Sequence, residues 1–143
     1  MLSGGLVLAL WIGAVHAGPV PAAGSTDLYG EAMLAISEGR LDDAIQECQK
    51  AIEVDPEFGN AYNDLGAYLI EQGKHDEAIP WLERALGAGR YESYHFPWFN
   101  LGRAYAAMDC YGRALECFRE SLSIAPDYAP AVDAMRSARL KIH

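Results

Sequence analysis

The side chains of this sequence that could do chemistry are four histidines, three cysteines and two pairs of adjacent acidic residues. The histidines are scattered along the chain, so they cannot be assembled with other groups into a catalytic set. The acidic pairs, Asp42-Asp43 and Asp76-Glu77, begin predicted helices, where a carboxylate interacts favourably with the helix dipole. Adjacent residues on a helix face different directions, which argues against a catalytic dyad.

Short motifs for catalysis or cofactor binding are also missing from the sequence. It contains no CxxC, HExxH or GxSxG motif and no phosphate-binding glycine loop. The histidines and cysteines do not have the spacing of a zinc site. We therefore predict a protein that is not an enzyme and that binds no cofactor and no metal.

The three cysteines, Cys48, Cys110 and Cys117, are an odd number and cannot form a complete disulfide framework. On one helix, Cys110 and Cys117 would lie two turns apart, about 10.5 Å, which is too far for a disulfide. We expect Cys48 and Cys117 to be small buried apolar residues.

Composition and charge restrict the class of partner. With 143 residues and 51% hydrophobic residues, the chain can form one folded domain with its own core. Its formal net charge is −9, from 20 acidic and 11 basic residues, which repels nucleic acid and anionic lipid. We therefore expect a protein or peptide partner, with membrane contact only through an uncleaved N-terminal segment.

The N-terminal segment has the features of an export signal. No Asp, Glu, Lys or Arg occurs in the first 24 residues, and residues 6–15 form an apolar run. Small residues at Val15 and Ala17 match a signal-peptidase site after Ala17, although no basic residue precedes the apolar run. Residues 1–17 are therefore predicted to be a signal peptide and residues 18–25 a flexible linker, which makes the protein periplasmic or secreted. The alternatives for this segment are a retained membrane anchor and a mistaken start site that has lost a basic segment. The alternative localisations are membrane-anchored and cytoplasmic.

The rest of the chain contains a repeat. Ala44, Ala78 and Ala114 are equivalent residues, 34 and then 36 positions apart, and Leu65-Gly66 corresponds to Leu101-Gly102. A period near 34 residues indicates a repeat architecture, and each unit has the apolar spacing of two helices.

The segment WFNLGRAY at residues 98–105 shows what the repeat requires. Trp98, Leu101, Gly102 and Tyr105 follow an i, i+3, i+4, i+7 spacing, which places them on one helix face. Glycine costs about 1 kcal/mol against alanine in a helix interior, so its presence needs a reason. We expect Gly102, like Gly66, to let the paired helix approach closely.

The turn inside each unit also follows a rule. Gly73 lies at the predicted turn of the second unit, and Asp109 replaces it in the third. Both residue types tolerate a positive φ angle, so we expect the left-handed conformation at both positions.

These residues resemble the tetratricopeptide repeat, whose pattern is W-x₂-L-G-x₂-Y followed by Ala, Phe and Pro. The matching positions are Leu65, Gly66 and Ala78 in the second unit, and Trp98, Leu101, Gly102, Tyr105, Ala114, Phe118 and Pro126 in the third. The resemblance implies an all-α, right-handed solenoid over residues 26–143. Its helix-turn-helix units would span about 25–58, 59–94 and 95–128, with a capping helix at about 129–141.

The resemblance also implies a binding surface, formed by first-helix residues that do not pack against the second helices. In each unit these residues are three and four positions apart, so they form one stripe per helix, and stacked stripes build the concave face of a superhelix. In similar proteins this face holds a peptide or a helix. The residues expected to contact the partner are Tyr29, Met33, Asn60, Asn63, Phe96, Phe99, Asn100 and Arg103.

Each residue type has an expected role in binding. Aromatic side chains would supply contact area, amides would bond the partner's backbone, and Arg103 would bind a carboxylate. The alternative for each is a packing or solvent-facing role. The clamp by which co-chaperones of this family hold a terminal carboxylate is not expected, because its positions contain no lysine. The residues at those positions are Tyr29, Met33, Asp64, Phe96 and Asn100.

Residues 87–95 depart from the repeat by two extra residues, with Arg90 where the other units have proline. This segment is either a longer surface loop or, through Tyr91, Tyr94 and Phe96, one rim of the binding surface.

The function predicted from the sequence is a non-catalytic adaptor or scaffold that captures a peptide or helix of a partner on the concave face. An exported protein of this kind is similar to bacterial scaffolding proteins that assist envelope or pilus assembly, which is an analogy. The alternatives are a self-associating structural module and an accessory subunit of a separately encoded enzyme.

Overall fold

The computed structural model describes residues 24–142, and this part of the chain forms seven α-helices and no β-strand. The helices are α1 (Ser25–Ser37), α2 (Leu41–Val54), α3 (Gly59–Glu71), α4 (His75–Gly87), α5 (His95–Ala107), α6 (Tyr111–Ile124) and α7 (Ala129–Arg139). The predicted signal peptide and residues 18–23 of the predicted linker lie outside the described residues.

The helices pack as three consecutive pairs. Helix α1 packs on α2, α3 on α4 and α5 on α6, while α7 packs on α6. Neighbouring pairs are joined by contacts of α2 with α3 and of α4 with α5, and a layer of first-helix contacts joins α3 to α5 and α5 to α7. This architecture confirms the predicted all-α solenoid of three helix pairs followed by one more helix.

The turn within each pair has the same geometry. Gly39, Gly73 and Asp109 have φ angles of 75°, 79° and 59°. The residue after each of them donates its N–H to the carbonyl oxygen five positions earlier, at 2.8, 2.9 and 2.9 Å respectively. The positive φ expected at Gly73 and Asp109 is thus observed, and it turns the chain so that the second helix can pack against the first.

Two helix-interior glycines explain how closely the paired helices approach. A Cβ atom added to Gly66 would lie 2.5 Å from the side chain of Leu82, and one added to Gly102 would lie 2.3 Å from the Phe118 ring. No side chain fits in such a gap without moving its neighbour. The close contact that we expected of these glycines is observed.

The inserted segment after α4 is tied to the loop between α2 and α3. Arg90 donates its N–H to the carbonyl oxygen of Glu57 at 3.0 Å and accepts the N–H of Gly59 at 3.3 Å. Its guanidinium forms an ion pair with the carboxylate of Asp55, and both side chains are nearly inaccessible to solvent. Where the other units have proline, this unit therefore has an arginine that joins two inter-unit loops.

Of the three aromatic residues that could form a rim in this segment, Tyr91 and Tyr94 pack against the core and only Phe96 is left for that role. Tyr91 is buried against the backbone of Gly59, where an added Cβ would lie 2.3 Å from the Tyr91 Cβ. The Tyr94 hydroxyl donates to the carbonyl oxygen of Ala88 at 3.2 Å. Of the three aromatics, only Phe96 is exposed. Tyr91 belongs to the main cluster of buried apolar residues.

The cysteines are free thiols, of which Cys48 and Cys117 are buried and Cys110 is exposed. Burial raises the pKa of Cys48 to about 12 and that of Cys117 to about 11, so both stay protonated near neutral pH. Their expected role as small buried apolar residues is confirmed. Along residues 24–142, no helix combines the length and the apolar character needed to cross a bilayer.

Candidate functional site: the first-helix face

The aligned surface of α1, α3, α5 and α7 is called here the first-helix face, and a chain of hydrogen bonds runs across its middle. The Tyr29 hydroxyl on α1 donates to Oδ2 of Asp64 on α3 at 2.6 Å. The Asn63 amide donates to Oδ1 of Asp64 at 3.0 Å. The Asn100 amide on α5 donates in turn to Oδ1 of Asn63 at 3.0 Å. The structure therefore brings Tyr29, Asn63 and Asn100 together, as expected from the aligned stripes.

The same chain of bonds continues to Arg103. Its Nη1 donates to Oδ1 of Asn100 at 3.1 Å, and its Nη2 donates to the carboxylate of Glu71 at 2.6 Å. The guanidinium carbon also lies 6.0 Å from the centre of the Phe99 ring. Arg103 thus already holds a carboxylate of its own chain. Since Glu71 is 58% exposed and Arg103 32%, this pair contributes little to stability, and a partner could displace it.

Two of the three asparagines of the predicted set lie within the surface. Asn63 and Asn100 are 7% and 6% exposed, and their amides bond to each other and to their neighbours. Buried amides must be paired, and here the protein itself supplies the partners. Their position therefore favours a role in aligning α3 with α5, which is the packing alternative given above, while their direct contact with a partner stays a prediction.

Asp64 has no place in the predicted binding set, yet it lies at the centre of this face. Burial raises the pKa of its carboxyl above the ordinary value, while the hydrogen bonds from Tyr29 and Asn63 act in the opposite direction. Burial, followed by the neighbouring Asp64 carboxylate, also raises the pKa of the Tyr29 hydroxyl, which keeps that group a hydrogen-bond donor. The site therefore centres on a carboxylate stabilised by neutral donors.

Aromatic rings form the end of the face near the start of α5. The Tyr128 ring lies 5.5 Å from Phe96 and 5.2 Å from Phe99, edge-on to both. Phe99 also contacts Phe118 of the core at 5.9 Å, whereas Phe96 remains 37% exposed. Phe96 is therefore available to a partner, while Phe99 is partly committed to packing.

Two other predicted contact residues lie open to solvent near α1 and α3. Met33 is 44% exposed, and its sulfur accepts a long hydrogen bond from the Tyr68 hydroxyl at 3.8 Å. Asn60 is exposed at the start of α3. The flexible thioether of Met33 can adapt to different partner side chains.

A cavity of about 370 Å³ extends the face toward α7, which the predicted contact set does not include. Its lining is mostly apolar or small, with basic groups from Arg103 and Lys141. The lining residues are Ile70, Arg103, Ala106, Ala107, Tyr111, Phe118, Ala134, Ser137, Ala138 and Lys141. The sequence contained a signal for the contribution of α7. An i, i+3, i+4, i+7 spacing is again found, at Ala134, Ser137, Ala138 and Lys141.

Comparison with known proteins identifies the family. Two family profiles, both described as tetratricopeptide repeat, match residues 29–93 and residues 95–128. The chain belongs to the tetratricopeptide repeat family. The signature residues Trp98, Leu101, Gly102 and Tyr105 lie inside the second matched region, on α5.

A curated relative matches part of this tetratricopeptide repeat protein. It is small glutamine-rich tetratricopeptide repeat-containing protein 2 of Mycosarcoma maydis, 42% identical over 48 residues, which cover 34% of this chain. The match spans only 14% of the relative's own length. The similarity therefore concerns the repeats and not the whole relative.

Solved structures show the same fold. The first tetratricopeptide repeat domain of Spaghetti (RPAP3), bound to the HSP90 peptide SRMEEVD, has a TM-score of 0.78 and 19% identity over 85% of this chain and 94% of that chain. PilW, a type IV pilus biogenesis factor, has a TM-score of 0.76 and 19% identity over 82% of this chain and 54% of that chain. At such identities the similarity shows the fold alone.

Proposed function

We propose that this tetratricopeptide repeat protein is a non-catalytic adaptor that captures a peptide or helix of a partner protein on the first-helix face. The observation behind the proposal is the continuous surface from Met33 to the cavity beside α7. Along it, exposed apolar groups flank an ordered polar chain. Apolar anchors around fixed polar groups are the usual composition of a peptide-binding groove.

The partner segment would use both parts of this surface. An apolar side chain of the partner fills the cavity of about 370 Å³, and a second apolar group packs on Phe96. The polar chain beneath is already satisfied, so it holds the three first helices at fixed spacing and costs little reordering on binding. The neighbour bound to an HSP90 peptide supports the use of this fold for peptide capture.

The test of the proposal measures binding of the full chain to an array of random dodecapeptides. Wild-type protein selects a subset of these peptides. The double variant Phe99→Ala with Arg103→Ala loses at least about tenfold in affinity for them. Because Phe99 also contacts the core, Phe96→Ala with Arg103→Ala is a second variant in which the exposed ring is removed instead.

The matched control removes one apolar side chain and one arginine from α6, away from the first-helix face. Ile124→Ala with Arg113→Ala serves this purpose, because Ile124 is 47% exposed and Arg113 lies over the Tyr105 ring. This control should keep wild-type affinity, and circular dichroism should show unchanged helix content in all variants. Equal affinity of both first-helix variants and the control would move the binding site elsewhere.

We also propose that the protein is exported and acts in the assembly of a bacterial envelope structure such as a pilus. The supports are the uncharged apolar run at residues 6–15 and the similarity of fold to PilW. N-terminal sequencing of the protein from its native cells should give Gly18 as the first residue. A mature chain that begins at Met1 would contradict cleavage.

A further inference from the structure

Asp64 differs from the other carboxylates of the first-helix face in what surrounds it. Both groups that hydrogen-bond to it, the Tyr29 hydroxyl and the Asn63 amide, are neutral. Within residues 24–142, no lysine, arginine or histidine forms a salt bridge with it. Glu71, the other acidic residue in the hydrogen-bonded chain, is neutralised by Arg103. Within the described residues, Asp64 is therefore an acidic side chain with no cation bonded to it.

We propose that Asp64 binds a lysine or arginine side chain of the captured partner segment, between α1 and α3. This inference rests on the proposed function, because it names the chemistry of the segment that the first-helix face captures. The partner is thus a segment that combines apolar anchors with at least one basic residue.

Asp64 is partly exposed, and the lone pairs of its carboxylate can accept a third hydrogen bond. Each oxygen of Asp64 accepts one bond from the protein, at 2.6 and 3.0 Å, and each carboxylate oxygen has lone pairs for two. A carboxylate in partly buried surroundings attracts a cation more strongly than one in water. The ammonium or guanidinium group would complete the set of donors around Asp64.

The neighbours of Asp64 suit the rest of a long basic side chain. Tyr29 contacts the Asp64 carboxylate from α1, and the exposed Met33 follows Tyr29 one turn later. Tyr68 follows Asp64 one turn later on α3, and its hydroxyl bonds the Met33 sulfur. Apolar stems of lysine and arginine pack on such groups while the charged end reaches the carboxylate. Aromatic faces also attract the cation itself.

Charge complementarity argues against an acidic segment at this position. The chain has a net charge of −9, and an acidic side chain placed beside Asp64 would meet a like charge at low dielectric. The nearest arginine of the hydrogen-bonded chain, Arg103, already binds Glu71. The α1–α3 part of the face therefore selects for a basic residue.

Asparagine can replace Asp64 with few other changes. The Oδ1 atom of an asparagine can accept the Asn63 amide, and its Nδ2 can donate to the Tyr29 oxygen, because a tyrosine hydroxyl both donates and accepts. Asp64→Asn thus removes the charge and keeps the bonds. Since burial disfavours the charged carboxyl, the melting temperature of this variant should be equal to or higher than that of the wild type.

The experiment uses the full chain and the random dodecapeptide array, followed by fluorescence titration of one selected peptide. Peptides bound by the wild type should be enriched in lysine and arginine. Replacing the lysine of the selected peptide by norleucine, which has no charge, should weaken binding to the wild type about tenfold. Asp64→Asn should bind the two peptides equally, whereas the control Glu120→Gln, which removes an exposed carboxylate of α6, should discriminate as the wild type does.

The outcomes separate this inference from the proposed function. Selection of peptides without enrichment in basic residues would overturn the role of Asp64 and leave peptide capture standing. Unchanged discrimination by Asp64→Asn would do the same. If no peptide binds above background, both proposals are wrong. A melting temperature of Asp64→Asn far below that of the wild type would show that the charge serves the fold, and it would also overturn the inference.

Discussion

The two halves of the first-helix face have the same backbone arrangement and opposite chemistry. Asp64 on α3 and Asn100 on α5 occupy equivalent positions, each two residues before the glycine that contacts the second helix. Asp64 is held by the neutral groups of Tyr29 and Asn63, whereas Asn100 accepts a bond from the cationic Arg103. The repeat thus places these two side chains alike, but Asp64 is an acid held by neutral groups, whereas Asn100 is a neutral amide that bonds a cation.

This difference shows how a repeat protein can obtain specificity without changing its fold. The half between α1 and α3 offers a carboxylate, while the half between α5 and α7 offers an apolar cavity with Arg103 and Lys141 in its lining. A partner that bound both halves would have to match both charges and place its apolar anchor between α5 and α7. Selection of this kind depends on a few side chains, and the packed interior can stay constant.

The largest expected effect comes from disrupting the contact between α5 and its paired helix α6. Gly102→Leu places a side chain where a single Cβ would already lie 2.3 Å from the Phe118 ring. We expect the free energy of unfolding to fall by about 1–3 kcal/mol or more, because the paired helices must separate. Urea denaturation followed by circular dichroism measures this change.

A glycine near the start of α6, the other helix of this pair, is the control for this effect. A Cβ on Gly112 meets no atom within 4 Å, so Gly112→Ala should leave stability equal or slightly higher. Equal destabilisation by the two substitutions would show that the close contact of α5 with α6 is not what Gly102 provides. Asp64 and Asn100 were called equivalent because each lies two residues before a glycine that contacts the second helix. That reason for comparing them would also be lost.

What the sequence predicts and what it misses follow from the range of the interactions. The left-handed turn at Asp109 and the close contact at Gly102 could be predicted because they depend on periodicity within one unit. The hydrogen bond from Tyr29 to Asp64 joins residues 35 positions apart, and it depends on how α1 is shifted along α3. No pattern within one unit contains that shift, so Asp64 could not be assigned a role.

Two other features were missed for related reasons. The ion pair of Arg90 with Asp55 depends on the path of the inserted segment, which a period near 34 residues does not describe. The cavity beside α7 was missed because residues 129–141 were assigned only a capping role from the sequence. Their small residues have the spacing of one helix face, and that face lines the cavity. In each case the position of an element relative to its neighbour unit decides the contact.

A smaller effect on stability is expected when the hydroxyl group is removed from Tyr29 on α1, and almost none when it is removed from Tyr68 on α3. Tyr29→Phe removes the O–H that donates to the Asp64 carboxylate at 2.6 Å and leaves that group with one protein donor. Removing one donor from a partly buried carboxylate should lower the free energy of unfolding by about 1–2 kcal/mol. Tyr68→Phe removes only a long bond of 3.8 Å to the Met33 sulfur, a weak acceptor, and should change it by less than about 0.5 kcal/mol.

The pH dependence of stability tests whether the Tyr29 hydroxyl bonds an ionised Asp64 carboxyl group. Burial holds the pKa of Asp64 above its ordinary value, so the carboxyl is ionised above that raised pKa and neutral below it. The Tyr29 hydroxyl stabilises the ionised form more than the neutral one, because hydrogen bonds to a charged acceptor are stronger. The stability difference between wild type and Tyr29→Phe should therefore be largest at neutral pH and shrink as the pH falls through the raised pKa. A difference that is constant with pH would mean that Tyr29 stabilises α1 by packing on Phe58, whose ring centre lies 5.1 Å away, and not by bonding a carboxylate.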